Sequence, residues 1–204
     1  VRRAAFMCFG LGALCGLVLV VDTAEWWLLG VGVASVLAAW FYTGGRVPYG
    51  YYGLGEVMVF LFFGVVATTG TAYVQMLEFS WLAYLTAIGI GALACALLVV
   101  NNLRDIPTDT KVGKRTLAVR LGVGKTRVLY VSLIVVALLV AVVIAVVWSS
   151  WALLSLVAFI PALPPVGAVI QGRVGRDLIP VLVATGQAQL LYGLLLGVGL
   201  AISS

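Results

Sequence analysis

The longest uncharged stretch of the chain is VLYVSLIVVALLVAVVIAVVWSSWALLSLVAFIPALPPVGAVIQG, residues 128–172, in which 45 consecutive positions carry no charge. A helix needs about 20 mainly apolar residues to cross the hydrocarbon core of a bilayer. The stretch is therefore long enough for two crossings. Trp148-Ser149-Ser150-Trp151 divides it, and because indole rings favour the headgroup level, this tetrapeptide predicts an interfacial turn between helices at 128–147 and 151–171.

The composition of the whole chain is also strongly apolar. The chain is 64% hydrophobic and 9% charged, with a mean hydropathy of +1.21, whereas an average soluble domain is about 25% charged. A soluble globular protein is excluded. The other apolar runs predict helices at 4–21, 26–43, 55–75, 80–103 and 181–202. The expected fold is an all-α integral membrane protein with seven transmembrane helices.

The charges test this helix count, because seven crossings force the connections to alternate between two sides of the membrane. All 12 basic residues then fall on one side, and Asp22, Glu25 and Glu78 lie on the other. By the positive-inside rule the basic side is cytoplasmic. The connection 104–127 alone carries seven basic residues and is expected to be a cytoplasmic catalytic loop.

Several classes of site are absent from the sequence. The chain has no histidine, and Cys8, Cys15 and Cys95 lie singly within apolar runs. These features exclude zinc sites and Cys/His nucleophiles within this chain. Without a basic soluble domain or exposed aromatics between its basic residues, nucleic acid is not an expected partner.

Polar residues concentrate where the fourth predicted helix ends. Asn101 and Asn102 precede Asp105 by four and three positions, so on a helix these side chains share one face. Pro107 disfavours helical angles for the residue before it. The helix is therefore expected to break near Asp105, with Asp109 returning on the loop toward the same place.

This cluster suits a metal-bound diphosphate. Mg²⁺ typically takes one or two carboxylates and completes its octahedron with phosphate oxygens and water. Cationic side chains at Lys111, Lys114 and Arg115 would neutralise the remaining charge. The alternative is a solvated loop whose amides cap a helix end. For Arg120, Lys125 and Arg127 the ordinary reading is a tether to anionic lipid.

A second polar cluster, residues 42–56, lies on the same predicted side. It contains four tyrosines, Arg46 and Glu56 among several glycines. It could line the mouth of a cavity shared with the Asp-rich segment. Alternatively, its tyrosines form an interfacial aromatic belt, and Glu56 favours the N-terminal dipole of the next helix.

The segment Asn102-Leu103-Arg104-Asp105-Ile106-Pro107-Thr108-Asp109, followed by Lys111, Gly113 and Lys114, resembles the second Asp-rich motif of the UbiA superfamily of membrane prenyltransferases. Residues 42–45, 48–50, 54–56 and 176–182 resemble the branch that prenylates 1,4-dihydroxy-2-naphthoate on the way to menaquinone. The likeness covers essentially the whole chain, which is expected to form one transmembrane prenyltransferase domain, residues 1–204.

The resemblance implies a bundle of nine transmembrane helices around a central cavity that opens to the bilayer. It also implies two Asp-rich motifs that face each other across Mg²⁺ and a diphosphate. The chain contains no first motif of the NDxxDxxxD type, and seven helices are predicted in place of nine. The expectation is a segment that comprises the C-terminal seven helices and half of the active site.

The resemblance also implies an activity: Mg²⁺-dependent transfer of a polyprenyl group from polyprenyl diphosphate to 1,4-dihydroxy-2-naphthoate, with decarboxylation. Such an enzyme would lie in the plasma membrane among lipids, with its active-site loops in the cytoplasm. Asp105 and Asp109 are expected to be catalytic, and with Asn102 to bind the metal. The expected substrate-binding residues are Asn101, Asn102, Arg104, Lys111, Lys114, Arg115, Arg46, Tyr42 and Tyr49.

Two other functions remain open from the sequence. One is a prenyltransferase of the same superfamily with another aromatic or lipid acceptor, because the Asp-rich segment reports on the diphosphate and says little about the acceptor. The other is a secondary transporter, although transporter sites usually lie near the bilayer midplane and here the charged residues crowd one membrane edge.

Overall fold

The computed structural model describes residues 2–45 and 48–203, and within these ranges the chain forms helices and turns without a strand. The all-α class expected from the composition is confirmed. The helices are α1 (Arg2–Thr23), α2 (Leu28–Thr43), α3 (Gly55–Val59), α4 (Ala67–Met76), α5 (Trp81–Lys111), α6 (Leu117–Val147), α7 (Leu163–Ile170) and α8 (Ile179–Ile202). A π-helix, Phe60–Val66, joins α3 to α4, and 3₁₀ segments occupy Tyr49–Tyr52, Ser150–Ala162 and Gly175–Leu178.

The membrane-crossing segments follow the predicted positions with differences in length. In the described residues, five helical segments are long and apolar enough to cross a bilayer: Arg3–Thr23, Gly55–Met76, Trp81–Lys111, Leu117–Val147 and Gly175–Ile202. A sixth crossing results if Ser150–Pro161 and Leu163–Ile170, bent by 53°, form one broken span. The remaining predicted helix, Leu28–Thr43, is apolar but only 16 residues long.

The core lies where α5 and α6 pack against each other and against α8. Leu93, Val99 and Val100 of α5 and Ile144 of α6 are fully buried. Two buried phenols also belong to this core. The hydroxyls of Tyr130 and Thr185 lie 2.8 Å apart in a hydrogen bond, and the Tyr192 hydroxyl donates to the Ala137 carbonyl at 3.3 Å. Each phenol therefore has a polar partner, as buried tyrosines generally require.

Glycine sets the distance between the π-helix and α5. A Cβ atom added at Gly64 would lie 2.7 Å from the Cα of Gly91, and one added at Gly91 would lie 2.9 Å from the Phe60 ring. Small residues permit such close approach between helix backbones in membranes. This contact holds the beginning of the 55–76 segment, and with it the second polar cluster, against α5.

The expected helix break near Asp105 is wrong. α5 continues to Lys111 with Pro107 inside it. Proline removes one backbone hydrogen bond, but the helix beyond it has bonds of its own. The Thr108 and Thr110 hydroxyls donate to the carbonyls of Asp105 and Ile106, each at 2.8 Å. Gly113, at φ +76°, then ends the helix in the left-handed conformation that glycine favours.

The segment 104–127, expected to be a loop, is mostly helical. Residues 104–111 belong to α5 and residues 117–127 to α6, so only residues 112–116 connect the two helices. Thr116 caps α6 by accepting from the Val119 amide at 3.4 Å. α6 is kinked at Gly122, whose φ of +73° lies outside the helical region.

The connections between helices meet at two different places. At the first, the Arg115 amide donates to the Tyr51 carbonyl at 2.9 Å, and Arg127 donates to the Gly172 carbonyl at 2.8 Å. We call the connections that contain the described residues 44–45 and 48–54, 112–116 and 171–174 the basic end.

At the second place, the connections are joined by aromatic rings. Trp27 packs on Phe79 with ring centroids 6.1 Å apart, and Trp81 packs on Trp148 at 5.9 Å. We call the connections 24–27, 77–80 and 148–149 the aromatic end.

Candidate active site

The end of α5 carries the two aspartates of the candidate site on one helical face. Asn101, Asp105 and Asp109 follow one another at intervals of four residues within a continuous helix, which aligns their side chains. Asp109 is only 7% exposed. Its Oδ1 lies 3.3 Å from the Nζ of Lys114. A buried carboxylate requires such compensation, because taking a charge out of water is costly.

Asp105 has a different cationic partner. The Arg104 side chain donates through Nε to Oδ1 and through a terminal nitrogen to Oδ2 of Asp105, both at 2.7 Å. This two-pronged geometry fits the planar guanidinium to the carboxylate. Both side chains remain about 30% exposed, at 29% and 31%. Each aspartate thus lies beside a basic residue that the sequence assigned to substrate binding.

The second polar cluster packs directly on this region. The Lys114 Nζ lies 4.6 Å from the centre of the Tyr51 ring, within the range of a cation–π contact. Arg120 donates through Nε to the Arg115 carbonyl at 3.0 Å. Gly53 lies against the same arginine, since a Cβ atom added there would be 3.1 Å from that Nε. The two clusters that the sequence placed on one side of the membrane are in contact.

Glu56 joins the two clusters by a side-chain hydrogen bond. It is 7% exposed, and its Oε1 accepts from Nδ2 of Asn102 at 3.0 Å. The sequence placed Glu56 in a cluster that could share a cavity with the Asp-rich segment, or beside a helix dipole, but it did not predict this contact with Asn102. A single acidic residue opening the long apolar run 57–77 is the signal that could have identified it.

Tyr42 and Tyr49 line an apolar cavity beside the site. Their rings meet edge to face with centroids 5.6 Å apart. The cavity has a volume of about 630 Å³ and is otherwise lined by aliphatic and aromatic side chains, including Met58 and Phe62, and by Ser35. The Tyr49 hydroxyl donates to the Ala38 carbonyl at 2.6 Å, and burial raises the pKa of this hydroxyl above its ordinary value. Tyr49 therefore anchors the 3₁₀ segment to α2.

The remaining predicted substrate-binding residues are placed as follows. Asn101 is half-buried on α5, and Lys111 and Arg115 are exposed at the connection between α5 and α6. Arg46 lies outside the described residues.

Arg120 and Arg127, for which the sequence suggested a tether to lipid, also form hydrogen bonds within the protein. Arg120 binds the Arg115 carbonyl. The Arg127 guanidinium donates to the carbonyls of Gly172 at 2.8 Å and Arg173 at 3.4 Å. Positive charge alone suggested lipid contact, but these side chains hold connections of the protein together. Lys125 is exposed and remains a candidate for lipid contact.

The residues at the end of α5 fit a magnesium ion that is held mainly by its substrate. Within residues 2–45 and 48–203, no group of three or more His, Cys, Asp or Glu side chains converges on one point. The end of α5 carries the two carboxylates of Asp105 and Asp109, beside the amides of Asn101 and Asn102. Mg²⁺ commonly uses one or two carboxylates together with phosphate oxygens and water, which matches this set.

Comparison with known proteins agrees with the motif. The chain is 49% identical over 201 residues to 1,4-dihydroxy-2-naphthoate octaprenyltransferase of Mycobacterium tuberculosis, a match that covers 98% of this chain and 68% of that protein. It is 45% identical to the protein of the same name from Mycobacterium leprae, with 95% and 65% covered. The Bacillus subtilis protein of that name is 30% identical, with 100% and 66% covered.

The chain thus spans about two thirds of the length of these relatives, 68%, 65% and 66%. No solved structure matches it significantly. Residues 1–177 match the UbiA prenyltransferase family. The Asp-rich helix end, its basic partners and the apolar cavity thus have a common explanation: the chain belongs to the UbiA prenyltransferase family.

Proposed function

We propose that this chain forms part of a Mg²⁺-dependent enzyme that transfers a polyprenyl group from polyprenyl diphosphate to 1,4-dihydroxy-2-naphthoate, with loss of the acceptor's carboxylate, in menaquinone biosynthesis. The observation that carries the proposal is the contact between the Asp-rich end of α5 and the basic connection 112–116, beside an apolar cavity. The names of the similar proteins support the choice of donor and acceptor.

In this proposal Asp105, Asp109 and Asn102 hold the metal, which supplies positive charge to the diphosphate when bound. Lys114 is close enough to Asp109, at 3.3 Å, to contact a diphosphate that this carboxylate positions through the metal. Lys111, Arg115 and Arg104 would supply the other cations. Fixed positive charges stabilise the negative charge that develops on a departing group, so these residues favour cleavage of the allylic carbon–oxygen bond.

The acceptor would bind between this polar region and the apolar cavity lined by Tyr42 and Tyr49. The apolar lining suits the prenyl tail and withholds water that would otherwise quench an allylic cation. The electron-rich naphthalene ring attacks the allylic carbon, and its carboxylate leaves as carbon dioxide. Arg46 and Asn101 are further candidates for contacts to the substrates.

We further propose that the protein lies in the plasma membrane with its basic end in the cytoplasm. The support is the positive-inside rule together with the contacts that gather the connections 44–54, 112–116 and 171–174 at one end of the bundle.

The test is a transfer assay in lipid with the complete purified enzyme of which this chain forms part. We expect prenylated product from 1,4-dihydroxy-2-naphthoate and polyprenyl diphosphate in the presence of Mg²⁺, and none after its chelation. A parallel assay with 4-hydroxybenzoate as acceptor distinguishes the alternative function. Transfer to 4-hydroxybenzoate without transfer to the naphthoate would refute the proposed acceptor while leaving the prenyltransferase assignment intact.

A further inference from the structure

Glu56 occupies an unusual place for a carboxylate. It is the second residue of α3 and is 7% exposed, whereas glutamate is rarely so buried without a partner. The backbone around it is held against α5. The Cys95 thiol donates to the Glu56 carbonyl at 3.1 Å, and a Cβ atom added at Gly55 would meet Leu98 at 3.4 Å. The position of the carboxyl group is therefore determined by helix packing.

Within the described part of the chain, one side chain, that of Asn102, forms a hydrogen bond with the carboxyl group. Its Oε1 accepts from Nδ2 of Asn102, whereas Oε2 is buried and has no partner within the described residues. Oε1 is the acceptor in this bond, and an amide has one donating and one accepting end. Glu56 therefore selects one orientation of the Asn102 amide, with the nitrogen toward Glu56 and the oxygen turned away from it.

We infer that Glu56 is a positioning residue that orients the amide oxygen of Asn102 for the metal-bound diphosphate, an inference that rests on the proposed function. Asn102 lies three residues before Asp105 on α5, so its side chain shares the face of the Asp-rich helix end. Partners that orient metal ligands in this way commonly change metal affinity by about 10- to 100-fold when removed.

The experiment measures Mg²⁺ affinity without the transfer reaction. Purified protein in detergent is titrated with Mg²⁺ at saturating inorganic pyrophosphate, and the rise in thermal unfolding temperature gives the half-saturating Mg²⁺ concentration. Glu56→Met keeps the length of the side chain but cannot accept a hydrogen bond. We expect the half-saturating concentration to rise by about tenfold or more.

Two conservative variants separate the accepting atom from the charge. Glu56→Gln retains a hydrogen-bond acceptor at the same distance. Its half-saturating Mg²⁺ concentration should therefore stay within about threefold of the wild-type value. Glu56→Asp retains the charge but withdraws it by one methylene from Asn102, and should weaken Mg²⁺ binding. Cys95→Ala is the matched control, because it removes the neighbouring contact to the Glu56 backbone and leaves the carboxyl–amide bond in place.

Several results would overturn the inference. They are an unchanged Mg²⁺ affinity in Glu56→Met, a loss in Glu56→Gln greater than that in Glu56→Asp, or wild-type protein that shows no Mg²⁺-dependent response to pyrophosphate. If Glu56→Met fails to fold, the comparison of Mg²⁺ affinities between Glu56→Gln and Glu56→Asp decides whether the inference holds. A protein that passes these tests but transfers no prenyl group to the naphthoate would refute the proposed acceptor alone.

Discussion

The basic end and the aromatic end of the bundle connect similar helices with different chemistry. At the basic end, connections meet through charged groups and backbone carbonyls, as in Arg127 with Gly172 and Lys114 with Asp109. At the aromatic end they meet through rings, as in Tyr73 with Phe79 at 4.6 Å. Its charged residues, Glu25 and Glu78, are both acidic, and so is Asp22 in the last turn of α1 before it.

The difference separates two tasks. An anionic diphosphate requires cations and metal ligands, and the residues proposed for these roles lie at the basic end and on the part of α5 that leads into it. Indole and phenol rings suit the membrane interface and give packing energy without attracting an anion. We therefore expect substitutions of the proposed metal- and diphosphate-binding residues to change catalysis, and substitutions of residues that only join connections, at either end, to change stability or nothing.

The largest expected effect concerns the side of the membrane that each end faces. An impermeant reagent labels a cysteine on its own side of the membrane and does not reach one on the other side. Val112 is 70% exposed in the connection between α5 and α6. It is a better site than Gly113, whose φ of +76° disfavours a side chain. In a protein whose exposed Cys8 and Cys15 are replaced by alanine, Val112→Cys should escape an impermeant thiol reagent on intact cells. Glu78→Cys should be labelled. The reverse pattern would refute the cytoplasmic assignment.

The next largest effect is expected from the aspartates of α5. Asp105→Ala and Asp109→Ala should each lower kcat/KM by about 150-fold, which corresponds to about 3 kcal/mol of transition-state stabilisation. The reason is that these two carboxylates are the proposed metal ligands at the end of α5. Glu25→Ala at the aromatic end is the matched control and should keep wild-type kinetics. Turnover near wild type for both aspartate variants at saturating Mg²⁺ would contradict the metal assignment.

A smaller change is expected for the lysines of the basic end. Lys114→Ala should raise KM for polyprenyl diphosphate about tenfold, or lower kcat similarly if the contact forms in the transition state. Lys125→Ala, an exposed charge on α6, should change either constant by less than about twofold, since a lipid-facing charge contributes only about 1 kcal/mol to surface attraction. Steady-state kinetics in detergent distinguishes them. Equal losses would mean that the basic residues act as one unspecific patch.

The smallest effect concerns stability alone. Arg127→Met removes hydrogen bonds to the carbonyls of Gly172 and Arg173. It also removes a buried Nε that has no hydrogen-bond partner within residues 2–45 and 48–203. Hydrogen bonds from charged groups typically contribute about 1.5–3 kcal/mol, and an unsatisfied buried donor costs about 1–3 kcal/mol. We expect a net loss of about 1 kcal/mol in unfolding free energy, measured by thermal denaturation. Lys125→Met should leave the unfolding temperature unchanged, and a similar shift in both variants would count against a specific role for Arg127.

The helices were predictable because hydropathy is a local property of the chain. Residues 128–147 and 151–171 lie within or overlap helical segments of the structure, and the turn at Trp148 and Ser149 falls where the two tryptophans indicated. The end of α5 was not predictable from Pro107 alone. The rule for proline counts only the backbone hydrogen bond that it removes. It omits the hydroxyl hydrogen bonds of Thr108 and Thr110 and the left-handed conformation of Gly113, which ends the helix.

The sequence by itself determined the membrane class, the positions of the helices, the segregation of basic residues and the Asp-rich motif, since each depends on neighbouring residues or simple counts. Only the tertiary structure decided which side chains meet. Glu56 contacts Asn102 across 46 positions, and Arg127 contacts Gly172 across 45. Such pairings depend on how the helices pack, because a buried polar group takes its partner from whichever neighbouring helix approaches it.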